Sequence, residues 1–293
     1  MSDFRRLQTF LDFARLGTIA AVAQTSQYST SAVSQQLERL ADELGTPLLE
    51  PHGRLLRLTA AGELLVQRGP QLLENWEEIR SALAATRDEV RGTVSVASFQ
   101  TGCLAYFPKL LAQLGEQTPH LRVQCLQAEP EHSLPALRSR EIDVAVVERY
   151  PGQTTGPHPE LQETALGRDP MLLGVPMGWG YSGDPRWLAD RPWVFEAKGS
   201  PARAWAESFC HLLGFEPLVA HETSDVVVQC SFVASGAAAA FIPALTPELL
   251  RGSGTYVALP PEQSRSLLAV VRRSAEQDVG VRAVITALSR LTG

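Results

Sequence analysis

Basic excess is the first thing missing from this chain. Its 293 residues carry 26 Lys and Arg against 32 Asp and Glu, a formal charge of −6 at pH 7. That balance excludes a protein coated in basic side chains for nucleic acid, so any such role has to sit on a local surface. Lysine is nearly absent, with Lys109 and Lys198 the only two. Cysteine is scarce: Cys103, Cys125, Cys210 and Cys230 form no CxxC pair, and their density excludes a disulfide scaffold. The six histidines make no i, i+3 or i+4 pair, so nothing supports a metal site. The longest apolar stretch, Val233 to Leu245, is broken by Ser235, Gly236 and Pro243, and the N-terminus has no apolar signal core. No membrane span is expected, and a cytoplasmic location is. GxSxG and the phosphate-binding loop are both missing, as is any catalytic constellation, so neither an enzyme nor a cofactor is expected. Gly178 to Gly183 matches GxGxxG, but Asp184-Pro185 follows and points to a turn where a dinucleotide fingerprint opens a helix.

What is present is a globular composition, 44% apolar and 20% charged, with a length that suggests about two domains. Up to about residue 91 the pattern is helical. Leu7, Phe10, Leu11 and Ala14 form one stripe ending near Gly17, and Thr18 caps a short alanine-rich helix. Ser29 caps a third helix with the stripe Val33, Leu37, Leu40 and Leu44, and Gly45 stands where a helix ends. His52-Gly53 reads as a hairpin turn, and Thr59 as another cap. From Leu72 a heptad-like seam runs through Trp76, Ile79, Leu83, Thr86 and Val90, the spacing of a helix that pairs with a copy of itself. The alternative is a helix lying on its own domain's core. Gly69-Pro70 is expected to kink that helix or mark its start. After Gly92 strands and helices alternate, which implies a parallel sheet with helices on both faces; the pair Leu267 to Val271 and Val279 to Leu291 returns to the first sheet.

Opposite its apolar stripe, the third helix presents Ser31, Ser34, Gln35, Glu38 and Arg39, with Thr30 at its start. A shorter helix and a tight turn precede it. A helix-turn-helix needs such a face, whose N-terminal residues enter the major groove. Gln suits adenine and Arg suits guanine, while Arg54 and Arg57 on the hairpin would grip phosphate or the minor groove. Charge alone does not support this, since residues 1–68 carry seven arginines and seven acids. A polar helical face is often only a solvated one.

The runs Leu7-Gln-Thr-Phe10, Ser29 to Leu40, Glu43-Leu-Gly45, Pro47 to Glu50 and Arg57-Leu-Thr59 with Ala61-Gly62 resemble the N-terminal domain of LysR-type transcriptional regulators. Phe107-Pro108, Ile142 to Ala145 and Val233 to Gly236 through Ile242-Pro243 extend the resemblance over nearly the whole chain. It implies an α/β fold with an N-terminal winged helix-turn-helix (1–61), a linker and dimerisation helix (62–91), and a periplasmic-binding-protein-like effector domain. Subdomain I of that domain is 92–165 with 264–293, and subdomain II is 166–263. The implied partners are double-stranded promoter DNA, a small effector, and copies of the chain as homodimer and homotetramer. Expected DNA-binding residues are Thr18, Thr30, Ser31, Ser34, Gln35, Arg39, Arg54 and Arg57; Leu72, Trp76, Ile79, Leu83 and Val90 are expected at the dimer seam. Ala21, Ser26 and Pro51 depart from the family pattern, Ala21 and Pro51 at frequently basic positions, and fewer phosphate contacts would weaken binding and flatten its salt dependence.

Ligands of open α/β sheets bind beyond the carboxyl ends of strands, near helix N-termini. Three such junctions make Ser98, Gln100, Thr101, Ser200, Arg203 and Ser224 the expected effector residues, and a small anion such as a carboxylate the expected effector. Each Ser or Thr otherwise only caps its helix. Phe209-Cys210 resembles the second cysteine of peroxide-sensing members, but Ser200-Pro201 holds the place of the first. The alternatives are therefore a redox-responsive regulator using Cys210, or a small-molecule binding protein without a DNA target.

Overall fold

The computed structural model describes residues 2–26, 28–53, 55–86, 89–153, 156 and 158–292. Local caps delimit its N-terminal helices. Helix α1 (Ser2–Leu16) stops at Gly17, whose φ of 79° suits glycine alone. Thr18 accepts from the Ala21 N–H at 3.1 Å and opens α2 (Ile19–Thr25). Ser29 accepts from the Ala32 N–H at 3.3 Å and opens α3 (Thr30–Leu44), which Gly45 ends in the left-handed conformation. Val22, Val33, Leu37 and Leu40 pack on Phe10 and Phe13 of α1, while Leu44, the last residue of α3, stays exposed. Strands β1 (Leu49–His52) and β2 (Leu55–Leu58) pair antiparallel, with Glu50 opposite Arg57.

Helix α4 (Ala60–Ala85) begins where Thr59 accepts from the Gly62 N–H at 3.1 Å, and it runs through Gly69-Pro70. The expectation of a start at that pair is corrected. A Cβ on Gly69 would come within 3.0 Å of Leu7 and 3.3 Å of Leu11, so the glycine lets α1 and α4 approach closely. Twenty-six residues make a rod about 39 Å long. The seam also stops early: Thr86 is the C-cap, and Val90 lies past it and packs on the following domain's core.

That domain opens with β3 (Gly92–Ser98), α5 (Gln100–Gln117), β4 (Leu121–Gln127), α6 (Pro130–Arg138) and β5 (Val144–Arg149). Strands β4, β3 and β5 are parallel neighbours, as the alternation predicts. Next comes β6 (Leu161–Val175), whose 15 residues serve both halves of the domain. Then follow β7 (Pro192–Phe195), α7 (Pro201–Leu212), β8 (Leu218–Glu222), α8 (Val226–Ala234), β9 (Ala240–Pro243), the single turn α9 (Glu248–Arg251) and β10 (Thr255–Ala258). Strand β11 (Ser264–Arg272) and α10 (Val279–Thr292) return to the first half.

The sheet order is β10-β6-β11-β5-β3-β4, with β9 also on β6. Beyond β4, β3 and β5 the sheet turns antiparallel: β11 is antiparallel to β5 and β6, and β9 and β10 are antiparallel to β6. The reason is the shared strand. Residues 161–170 of β6 pair with β11 and residues 171–175 with β9 and β10, so the chain crosses between halves inside a strand. Separate cores lie on either side, one around Leu110, Val144 and Leu288 and one around Trp193, Phe209 and Phe241.

One polar cluster joins α4 to the larger domain. Glu77 of α4 accepts from Arg272 Nε and Nη2 at 2.9 and 2.7 Å, from the Ser274 hydroxyl, and from Arg140 Nη2 at 3.4 Å.

Candidate functional site

Two faces of the molecule present chemistry, and the first is on α3. Thr30, Ser31, Gln35 and Arg39 are exposed along it. Ser31 shares a 3.0 Å hydrogen bond with Ser29, and Ser34 donates to Glu38 at 3.2 Å. Gln35 and Arg39 have no hydrogen-bond partner among the described residues. Thr18 is spent as the cap of α2. On the hairpin, Arg57 is engaged by Glu50 at 2.6 Å in an exposed pair, so half of the expected grip is partly neutralised. Arg54 lies outside the described residues.

The second face is a cleft between the two halves of the α/β domain, with about 50 Å³ of free space. Of the residues expected there, Gln100, Thr101 and Ser224 line it; Ser98, Ser200 and Arg203 do not. Ser98 is wholly buried at the end of β3. Ser200 caps α7 by accepting from the Arg203 N–H at 3.1 Å. Arg203 is 4% exposed and fully engaged, by Glu207, by the Glu196 carbonyl at 3.0 Å and by Glu222 at 3.4 Å. It misses the cleft because Ala202, Trp205 and Ala206 take that side of α7, and Arg203 lies about 100° around from Ala202.

Residues that the sequence reading missed dominate the cleft. Glu129 follows β4, Glu148 lies next to last in β5 and Glu196 follows β7, and all three line the free space. Arg265, at the start of β11, is 2% exposed and donates to Asp169 at 2.8 Å and to the Thr101 hydroxyl, beneath the Phe99 ring. Asp169 also accepts from the Leu245 N–H at 2.9 Å. Burial pushes the Glu148 carboxyl up to about 8, although Arg265 at 3.7 Å opposes the shift. Burial likewise raises Glu129 and Glu196; repulsion from Glu131 adds to the first, and repulsion from Glu129 and Glu131 adds to the second. Gln100 closes the mouth of the cleft: its amide donates to Asp225 at 3.0 Å and accepts from the Val226 N–H at 2.9 Å, tying α5 to α8.

Cys210 is buried in the aromatic core with Trp205 and Phe209, and burial pushes its thiol up to about 12. A thiol so rarely ionised is a poor peroxide nucleophile, which removes the redox reading's support. The Gly178 to Gly183 run starts inside one single-turn 3-10 segment, Met177–Trp179, ends before another, Pro185–Leu188, and opens no α-helix. No described helix is long and apolar enough to cross a membrane.

A winged helix-turn-helix carried on a long helix, with a two-lobed cleft domain behind it, defines a DNA-binding regulator with a ligand-responsive body. Residues 4–63 match the bacterial regulatory helix-turn-helix protein, lysR family, and residues 87–292 match the LysR substrate binding domain. The chain belongs to the LysR family of transcriptional regulators. It is similar to the HTH-type transcriptional regulator BsdA of Bacillus subtilis (strain 168), 27% identical over 248 residues, 82% of this chain and 83% of that one. Among solved structures, a full-length OxyR variant from Pseudomonas aeruginosa superposes with TM-score 0.65 at 18% identity, covering 97% of this chain and 94% of that one. Full-length CbnR, solved with its target DNA, gives TM-score 0.56 at 23% identity, covering 98% and 99%. At such identities the solved structures speak for the fold alone.

Proposed function

We propose that this regulator reads promoter sites through Gln35, Arg39 and the short hydroxyls of α3, works as a dimer through α4, and takes its effector in the cleft lined by Gln100, Thr101 and Ser224. In this reading 1–61 is the reading head, 62–91 the linker, and 92–165 with 264–293 and 166–263 are the two effector lobes. The observation that carries it is the α3 face, where Gln35 and Arg39 stand exposed and unengaged among the described residues. A groove-reading side chain has to be free before DNA arrives. Gel shifts at stated salt, with the promoter fragment and a scrambled duplex, test it. Gln35→Ala is expected to cost about 1–3 kcal/mol on the specific fragment and almost nothing on the scrambled one. Equal losses on both would mean that α3 does not read bases.

Dimerisation is supported by what α4 leaves uncovered. Leu72, Ile79 and Leu83 are 52%, 52% and 60% exposed. Trp76 instead stacks on Phe4 of its own chain, with ring centroids 4.7 Å apart. An apolar stripe of this length on a soluble surface calls for a partner, and a second copy of the helix matches its spacing. Ile79→Asp is expected to shift the protein to monomer in light scattering behind size exclusion, with the fold kept because Ile79 supports no core. A variant that retains the wild-type mass would place the interface elsewhere.

A further inference from the structure

Helix N-termini suggest an anionic effector, but in this chain each of the three already has an N–H group taken from within. At α8, Asp225 accepts from the Val227 and Val228 N–H groups at 2.8 and 3.4 Å, and Gln100 takes the Val226 N–H. Ser200 takes an N–H of α7, and Glu129 takes the Gln100 N–H of α5 at 3.3 Å. Arg203, the cation expected to meet a carboxylate, is bonded behind the wall.

What faces the free space is acidic. Arg265 is the one cation among the described lining residues, and Asp169 already balances its charge. Glu129, Glu148 and Glu196 are in excess. Glu148 carries a second, independent sign: its Oε2 is buried and has no hydrogen-bond partner among the described residues. An orphaned buried carboxylate oxygen is costly, and a donor bearing positive charge relieves it. No described cluster has the arrangement to hold a metal ion. Aromatic rings complete the walls, with Trp205 at 5.7 Å from Tyr150 and 5.2 Å from Phe241 between centroids. Such faces favour an organic cation.

We propose that the effector is a small organic cation, an amine protonated at neutral pH, whose ammonium group meets Glu148 with Glu129 or Glu196 and whose apolar body lies against Trp205 and Phe241. The assignment rests on the cleft being the effector site of the proposed regulator.

Calorimetric titration of the full chain with phenethylamine, putrescine and phenylacetate near neutral pH tests it. Phenethylamine and phenylacetate are similar in shape and opposite in charge. Phenethylamine is expected to bind and phenylacetate not, and Glu148→Gln is expected to weaken the amine about thirtyfold or more, as loss of a desolvated charge partner does. Because Gln is a neutral isostere at a place where burial already disfavours the charged carboxyl, the variant folds at least as well, which a melting curve checks. Binding of phenylacetate in the amines' place, or of neither amine at millimolar concentration, overturns the assignment. A parallel gel shift separates the two claims. DNA binding without amine binding sinks the cation and leaves the regulator; amine binding without any DNA target keeps the cation and sinks the regulator.

Discussion

Glu148→Gln raises the melting temperature above about pH 8 and leaves it nearly unchanged near pH 5. The carboxyl is pushed up to about 8 by burial in the cleft, from an ordinary value of 4.5. In that window the folded chain holds a proton that the unfolded chain has released. Stability therefore falls as pH rises from about 4.5 and levels off once the folded carboxyl has ionised, above about 8. Glutamine does not titrate, so the variant escapes this loss. The gain at high pH is on the order of 4–5 kcal/mol, or roughly 10–15 °C for a domain of this size. Burial sets the sign; of the groups facing Glu148, Arg265 from β11 lowers it, and Glu129 and Glu196 from the neighbouring strand ends raise it. Differential scanning calorimetry from pH 5 to 9 measures the effect, and parallel wild-type and variant curves would show that Glu148 ionises normally. Ligand binding should mirror it. An amine that meets ionised Glu148 expels its proton, so affinity rises up to about tenfold per pH unit below 8. A carboxylate ligand that needs the protonated acid as a donor would give the opposite slope.

The reading head was legible because its signals are local. Thr18, Ser29 and Thr59 act within three residues of themselves, and the α3 stripe needs only helical periodicity. The cleft was not legible in the same way. Glu129, Glu148 and Glu196 are scattered along the chain and meet only because three strands end at one place. A trace of the signal existed. Glu148 closes the otherwise apolar run Val144 to Val147, and Glu196 follows buried Val194 and Phe195. A carboxylate at the carboxyl end of a buried strand is expensive unless it serves a site. Arg203 misled because its position one turn into a helix says nothing about which side the helix buries. The Gly69-Pro70 pair misled for a related reason, since tertiary contact with Leu7 and Leu11 overrides its local tendency to break a helix.

Glu77→Ala is expected to cut the link between cleft and reading head while weakening the fold by about 3 kcal/mol, because it removes the nearer carboxylate from a buried guanidinium and leaves Asp143 at 3.3 Å as its remaining charge partner. Arg272 is 6% exposed, and beyond Glu77 it donates to the carbonyls of Leu137 and Ile142 at 2.8 and 2.6 Å. Burial alone would raise the Glu77 carboxyl, but Arg272, Ser274 and Arg140 together hold it below the ordinary value. The same cluster reaches the DNA-binding domain. Arg140 Nη1 donates to Gln8 of α1 at 3.0 Å while Nη2 bonds Glu77. Arg140 is also the one described residue other than glycine with positive φ, 63°, a conformation that costs about 1 kcal/mol or more and persists only where surrounding contacts enforce it. Beside the cluster lies a cavity of about 200 Å³ lined by α1, α4 and the effector lobe, which gives the joint room to rearrange. A ligand that shifts the cleft can move α1 only through contacts that differ between two arrangements, and among the described residues these charges span the joint. Promoter affinity measured with and without effector should differ in the wild type and coincide in Glu77→Ala. Glu77→Gln, which keeps an acceptor for Arg272 and Ser274, should restore part of the stability and part of the coupling. Full effector response in Glu77→Ala would mean that the signal passes through apolar packing such as the Phe4–Trp76 stack.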